Sequence, residues 1–224
     1  MSKARYFSRD WTKDHMEEPR IFAVGDIHGC RLKLDRLLAK LDWRPENQEL
    51  LVFLGDYIDR GPDSYGVVET VLGLKSLHPK EVILLKGNHE QMFINFITGQ
   101  EELLLTANGV AWTMRSYNEN TPFPISHYQF YQDLILYYET ASHIFVHAGL
   151  RPGIPLKDQD ENDCLWIRDE FLESDFDFGK TVVFGHTPFR QPFICPGRAG
   201  LDTGAVFGGP LTCLEVQKNE LYCV

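Results

Sequence analysis

Ile21-Phe22-Ala23-Val24-Gly25-Asp26-Ile27-His28-Gly29-Cys30, followed by leucines at 34, 37, 38 and 41, opens a pattern that recurs twice before Ile97. Each unit is a short apolar run, a polar loop containing glycine, and apolar residues at helical spacing. The second unit is Leu50 to Leu54, then Gly55-Asp56-Tyr57-Ile58-Asp59-Arg60-Gly61-Pro62, then Val67, Val71 and Leu74 with Val68 and Leu72 beside them. The third is Val82-Ile83-Leu84-Leu85, a loop at Gly87, then Met92, Phe93, Phe96 and Ile97. Apolar runs this short are buried strands, and residues spaced i, i+3, i+4, i+7 share one helix face. Strand, loop and helix in threefold succession predict βαβ units and a largely parallel sheet. Each loop then lies just past the carboxyl end of a strand, where open α/β sheets collect their ligand-binding residues.

Outward from this core, strands are expected again at His143-Ile144-Phe145-Val146, ending in His147-Ala148-Gly149, and at Thr181-Val182-Val183-Phe184, ending in Gly185-His186-Thr187. Leu211 to Val216 and Leu221 to Val224, around Lys218-Asn219-Glu220, predict a terminal hairpin. A second sheet packed on the first would bring these loops to the same rim, giving an α/β sandwich with helices outside. Residues 1–20 read as a lead-in and 21–224 as a single domain. Within it, 98–136 reads as a partly helical covering segment rich in aromatics: Trp112, Tyr117, Phe123, Tyr128, Phe130 and Tyr131.

Composition narrows the classes. A chain of 224 residues with 43% hydrophobic content is long enough for one sizeable core. Its net charge of −10 opposes sequence-independent attraction to a nucleic acid polymer or an anionic membrane. The longest apolar runs fall far short of the roughly 20 residues that span a bilayer. Asp10, Asp14, Glu17 and Glu18 argue against a transit peptide. Five cysteines, Cys30, Cys164, Cys195, Cys213 and Cys223, lack paired spacing and point to a reducing, cytoplasmic setting. They read as small buried hydrophobes, although Cys30 directly follows a candidate ligand loop.

The loops carry the chemistry. Alternate side chains of an extended segment point the same way, so Asp26 and His28 can reach one cation together. The Asp56 carboxylate has two oxygens and can bridge two cations roughly 3.5 to 4 Å apart. Asn88, His147 and His186 would complete the shell of the second ion. Taken singly, an Asp beside Gly is a turn residue and a strand-end His a satisfied one. Five strand-end loops that all offer hard or borderline ligands point instead to a two-metal phosphoester hydrolase. A phosphate ester resists attack because its oxygens are negative, and paired divalent ions offset that charge while activating water. Nitrogen and oxygen ligands without thiolate suit Mn, Fe or Zn.

From about Ile21 to Val216 the sequence resembles the phosphoprotein phosphatase (PPP) family of calcineurin-like metallophosphoesterases, and most closely its small bacterial and phage branch. Besides the ligand loops, Gly87-Asn88-His89-Glu90-Gln91-Met92, Leu165-Trp166-Ile167-Arg168 and Asp202-Thr203-Gly204-Ala205-Val206-Phe207-Gly208-Gly209 carry the likeness. The resemblance implies a sandwich of two mixed β-sheets flanked by helices, and two divalent ions, with Mn2+ the expected metal and Fe or Zn the alternatives. It places the first ion on Asp26, His28 and Asp56, and the second on Asp56, Asn88, His147 and His186. It assigns His89, oriented by Asp59, to protonating the leaving alkoxide, and sets Arg60 and Arg168 against the phosphate oxygens. An imidazole titrates nearest neutral pH, and an arginine fork matches two phosphate oxygens. His15, His78, His127 and His143 match no such position, and Asp163, Asp175 and Asp177 read as loop or surface charges.

The expected activity is a serine/threonine protein phosphatase that also accepts phosphotyrosine and aryl phosphates. Its expected mechanism is direct attack of a metal-bridging hydroxide, since no motif puts a serine or cysteine nucleophile beside a base. The alternative is a symmetrical dinucleoside tetraphosphatase acting on diadenosine tetraphosphate. That activity shares these motifs but is expected on longer chains, and exposed rings between Trp112 and Tyr131 would be its base-stacking surface. A second alternative, an inactive scaffold or binding module, has no use for His89. The partner expected is a phosphoprotein or small phosphoester, with neither nucleic acid polymer nor membrane, and no oligomeric state follows from the sequence.

Overall fold

Strands β2 (Ile21–Val24), β3 (Leu50–Phe53) and β4 (Val82–Leu84) are buried along their whole length in the computed structural model, which describes residues 7–8, 18–99, 109–118 and 122–224. They pair in parallel, Val24 opposite Phe53 and Phe53 opposite Leu84, so the chain leaves all three at one edge. The return crossovers are α1 (Arg31–Lys40) and α2 (Ser64–Leu77), and α3 (Asn88–Ile97) follows the edge strand β4; the three bury Leu34 and Leu37, Val67, Val68 and Val71, and Met92 and Phe93. Helix α2 starts where it does because the Asp63 carboxylate accepts the Gly66 amide at 2.8 Å, satisfying one of the amides a helix start leaves open.

Later strands β10 (Thr212–Glu215) and β11 (Glu220–Cys223) form the expected hairpin, and β10 pairs antiparallel with β2. The first sheet therefore runs β11-β10-β2-β3-β4. The second contains β1 (Phe7–Ser8), β5 (Tyr137–Glu139), β6 (His143–Val146), β7 (Thr181–Phe184), β8 (Phe193–Cys195) and β9 (Arg198–Gly200), in the order β1-β5-β6-β7-β9-β8. Here β6, β7 and β9 are parallel while β5 runs against β6 and β8 against β9, so both sheets are mixed.

Strand residues alternate between two cores. Ile21, Ala23, Leu50, Val52 and Ile83 meet Tyr138, Phe145, Val183 and Leu201 between the sheets. Phe22, Val24, Leu51 and Phe53 face the helices of the first sheet. On the far side, Ile144, Val146, Val182 and Phe184 are covered by Leu165 of α6 (Glu161–Trp166) and Phe171 of α7 (Asp169–Leu172). Strands covered on both faces read as continuous apolar runs, which is why the sequence revealed them.

Several expectations change. Phe7–Ser8, assigned to the lead-in, adds a parallel edge strand beside β5. The described parts of the covering segment are the helices α4 (Val110–Asn118) and α5 (Ile125–Asp133). Their rings are largely core: Tyr117, Phe130 and Tyr131 are buried, and Tyr117 stacks on Phe123 at 4.9 Å, so only Trp112 and Tyr128 remain exposed for stacking. Asp163 is buried beneath a two-pronged ion pair with Arg151 (2.6 and 2.7 Å) and is no loose surface charge. All five cysteines are free, with Cys164 and Cys213 buried and Cys30, Cys195 and Cys223 partly exposed. Among the described residues no helix is long and apolar enough to cross a membrane.

Candidate active site

The strand-end loops converge. Asp26, His28, Asp56, Asn88, His147 and His186 are all buried around one point at the carboxyl edges of β2, β3, β4, β6 and β7. Tight turning is visible in the backbone: His28, Asp56, Asp59, Arg60 and His186 adopt left-handed φ of 47 to 71°. Among the described non-glycine residues only Gln48 and Asn219 share that region. Such a conformation costs an L-residue about 1 kcal/mol or more, so the surrounding contacts must hold it. Gly87 shows how close the loops come, since a Cβ there would lie 2.2 Å from Asp56 Oδ1 and 2.4 Å from the Asp56 amide nitrogen.

Asp56 faces two groups of donors with its two oxygens. Oδ2 lies 3.3 Å from His28 Nε2 and 4.0 Å from His89 Nε2, while Oδ1 lies 3.5 Å from His147 Nε2. Ligand atoms of His28, Asp56 and His89 gather within 4.8 Å of one another, and so do those of Asp56, His147 and His186. Asn88 Oδ1 is 2.9 Å from His147 Nε2 and 3.0 Å from His186 Nδ1. Asp26 stands just outside both groups, where its carboxylate accepts the His186 amide at 3.0 Å. Backbone carbonyls set the tautomers. The Nδ1–H of His28 donates to Ile58 at 2.8 Å and that of His147 to Leu54 at 2.9 Å, which turns each Nε2 lone pair inward. His186 Nε2 is buried without any hydrogen-bond partner.

The electrostatics suit cations. Burial holds His28, His147 and His186 in the neutral form, His28 down to about 3 and His186 to about 2. Burial, then Asp202 and Asp56, push the Asp26 carboxyl well above its ordinary range. Burial would raise Asp56 too, but any proton on the neighbouring imidazoles of His147, His89, His28 and His186 draws it down, and the net direction is below the ordinary carboxylate range. Neutral inward-facing imidazoles, an orphaned ring nitrogen and crowded carboxylates form the donor set that divalent ions take, so the residues present fit two such ions.

Around this centre, His89 Nδ1 donates to Asp59 Oδ2 at 2.7 Å, both side chains being buried. Arg60 Nη1 donates to His28 Nε2 at 2.7 Å, and Arg168 Nη2 donates to the His186 carbonyl at 3.3 Å. The guanidiniums thus touch different ligand residues of the cluster. Two exposed rings flank them: Phe207 lies 5.7 Å from the Arg60 guanidinium, and Trp166 meets the His186 ring edge-on at 5.9 Å.

The sequence reading left out Glu90 and Asp202 as functional residues. Glu90 accepts the amides of Asp56 at 2.8 Å, Tyr57 at 2.9 Å and Gly87 at 3.0 Å, so one carboxylate shapes two ligand loops. Burial and Asp56 raise it to about 8. Its signal was available, because an acid three residues after a helix cap accepts the cap's amide. Asp202 is buried within the field of Asp26 and Asp56 and pushed up to about 6, burial being the main cause. It lay inside a quoted motif without a role.

Residues 19–219 match the sequence model of the family described as calcineurin-like phosphoesterase. The chain is 32% identical to serine/threonine-protein phosphatase 1 of Salmonella typhimurium, over 88% of this chain and 92% of that protein. It is 31% identical to an asymmetrical bis(5'-nucleosyl)-tetraphosphatase, PrpE, of Bacillus cereus, over 90% and 92%. Among solved structures, a candidate diadenosine tetraphosphatase superposes with a TM-score of 0.75 at 23% identity, covering 99% of this chain and 97% of that one. A yeast (Saccharomyces cerevisiae) protein serine/threonine phosphatase superposes at 0.63 and 20%, covering 92% and 74%. The tetraphosphatase relatives are named asymmetrical, where the expectation was the symmetrical type, and the alignment spans 90% of this chain and 92% of that relative.

Proposed function

The chain belongs to the calcineurin-like phosphoesterase family and is a metallophosphoesterase, and from that premise we propose that it is a protein phosphatase acting on phosphoserine and phosphothreonine. The observation that carries this reading is the buried His89–Asp59 pair, bonded at 2.7 Å, with His89 Nε2 turned toward Asp56. A serine alkoxide is a poor leaving group and needs a proton as the ester bond breaks. A nucleotide leaves as a stable phosphate anion and needs none, so a positioned proton donor favours alkyl monoesters.

In this mechanism Asp26, His28 and Asp56 would hold one divalent ion and Asp56, Asn88, His147 and His186 the other, with Mn2+ the expected metal. When bound, the ions neutralise phosphate charge and lower the pKa of water enough to supply the attacking oxygen. Arg60 and Arg168 grip the phosphate oxygens and align the ester. His89 Nε2 gives its proton to the departing oxygen, and Asp59 fixes the ring orientation. Glu90 holds the Asp56 and Gly87 loops in register. Attack in one step is favoured over a cysteinyl intermediate because burial raises the Cys30 thiol, the one rival nucleophile, and so disfavours its thiolate. We place this activity on residues 21–224 as one domain, in a reducing cytoplasm.

A second reading, hydrolysis of dinucleoside polyphosphates, is supported by the exposed rings of Phe207 and Trp166 beside Arg60 and His186. A base stacked on such a ring gains about 1–3 kcal/mol. One assay of a phosphoserine peptide, p-nitrophenyl phosphate and diadenosine tetraphosphate with Mn2+ separates the two. The phosphatase reading expects the largest kcat/KM on the peptide. It is overturned if the dinucleotide leads and Phe207→Ala selectively abolishes that lead.

A further inference from the structure

We propose that Thr113, on helix α4 of the covering segment, is a positioning residue for the His89–Asp59 proton donor. Its hydroxyl donates to Asp59 Oδ1 at 2.5 Å, the oxygen not used by His89, which bonds Oδ2 at 2.7 Å. The same hydroxyl accepts the Asp59 amide at 2.9 Å and lies 3.0 Å from Ser64 Oγ. A threonine hydroxyl has one proton and two lone pairs. With the proton on Asp59, Ser64 must be the donor in the last contact, and every site on the hydroxyl is used. Thr113, Ser64 and Asp59 are each buried, so no water competes for these bonds.

The backbone explains why an outside hold is needed. Asp59 and Arg60 have φ of 71 and 66°, a strained pair that local sequence does not favour. Helix α4 closes on that pair. Gly109, just before it, comes so near that a Cβ would lie 2.9 Å from the Arg60 amide nitrogen, and the Ser116 hydroxyl accepts the Tyr65 amide at 3.0 Å. The covering segment therefore does more than complete the core. Through Thr113 it fixes both the backbone and the carboxylate of Asp59, and so the direction in which His89 presents its proton. A misdirected ring loses transfer to a basic alkoxide while leaving phosphate binding intact.

The proposal rests on His89 being the proton donor, and the experiment separates the two claims. Thr113→Val, Thr113→Ser and His89→Asn are compared in the full-length Mn2+-loaded enzyme, on a phosphoserine peptide, whose alkoxide needs a proton, and on p-nitrophenyl phosphate, whose phenolate leaves without one. Thr113→Val is expected to lower kcat on the peptide by about 10-fold or more and on the aryl ester by less than about 3-fold, with KM little changed. Thr113→Ser, which keeps the hydroxyl, restores the peptide rate. Equal losses on both substrates, no loss, or no rescue by serine overturns the proposal. If His89→Asn is selective for the peptide and Thr113→Val is not, only the Thr113 claim falls. If His89→Asn lacks that selectivity, both fall. A readout without turnover is the low-field NMR signal of the His89 Nδ1 proton. It is expected to move in Thr113→Val and return in Thr113→Ser, and an unmoved signal counts against the proposal. Should valine prevent folding, Thr113→Cys, with its weak donor, takes its place. A peptide-selective loss supports the proposal, and wild-type peptide turnover overturns it.

Discussion

Single atoms decide how the candidate site is organised. One carboxylate, Asp56, meets His28 through Oδ2 and His147 through Oδ1, so one side chain ties together loops from both sheets. Glu90 does comparable work on the backbone by accepting four buried amides, those of Asp56, Tyr57, Ile58 and Gly87. Truncation of Glu90 strands those donors away from water, at about 1–3 kcal/mol each before relaxation. Glu90→Ala is therefore expected to lose about 3 kcal/mol or more of stability in urea unfolding, and to lower activity because the Asp56 and Gly87 loops drift apart. A loss under about 1 kcal/mol would show that these bonds are dispensable. Residues such as Asp26, His28, Asn88 and His186 were legible in the sequence because each sits in a short loop whose neighbours announce a strand end. Thr113 was not, since its partner Asp59 is 54 positions away and a threonine inside a helix announces nothing.

At the scale of elements, the sheet edge opposite the site is fastened by Arg20. Its guanidinium holds Glu215, at the end of β10, through Nε at 2.9 Å and Nη2 at 3.0 Å, and reaches Glu49, before β3, at 2.9 Å. Three neighbouring strands are thus joined by one side chain. The bond to Arg20 is the main cause holding the Glu215 carboxyl below its ordinary value. A carboxylate so depressed adds stability that is complete above its unfolded pKa, about 4.3, and is lost as pH falls through the lower folded value. Arg20→Met leaves Glu215 buried with Lys218 as its remaining cation, and is expected to cost about 2 kcal/mol or more at pH 7. That gap should narrow as pH falls toward about 4, where Glu215 of the variant takes up a proton. Equal gaps at both pH values, measured by urea unfolding, would rule the ion pair out as the cause. The strands that Arg20 joins were readable as apolar runs. By contrast β1, β5, β8 and β9 are two or three residues long, too short for any period to register, and their pairing depends on the opposite sheet edge. The aromatic stretch misled for a related reason, because a ring's exposure is set by what packs over it.

Taken whole, the molecule brings acids together that would repel one another. Asp26, Asp56, Glu90 and Asp202 converge at the point where both sheets end, in a chain already at net charge −10. Burial and mutual repulsion raise three of these carboxyls, so ionising them together costs folding free energy that bound cations would offset. A ligand that binds only the folded state stabilises it by RT ln(1 + [L]/Kd), about 2.7 kcal/mol at a hundredfold excess over Kd. For a chain of this size that corresponds to a rise in Tm of roughly 5–10 °C. Chelation should therefore both abolish phosphatase activity and lower Tm, and Mn2+ should restore both better than Mg2+ or Ca2+. Asp56→Asn, which removes the oxygen shared between the two donor groups, should weaken the Mn2+-dependent rise in Tm while the chelated variant melts no lower than the chelated wild type. A fully active chelated enzyme, or a Tm indifferent to Mn2+, would mean that the convergence of these carboxylates serves something other than divalent metal.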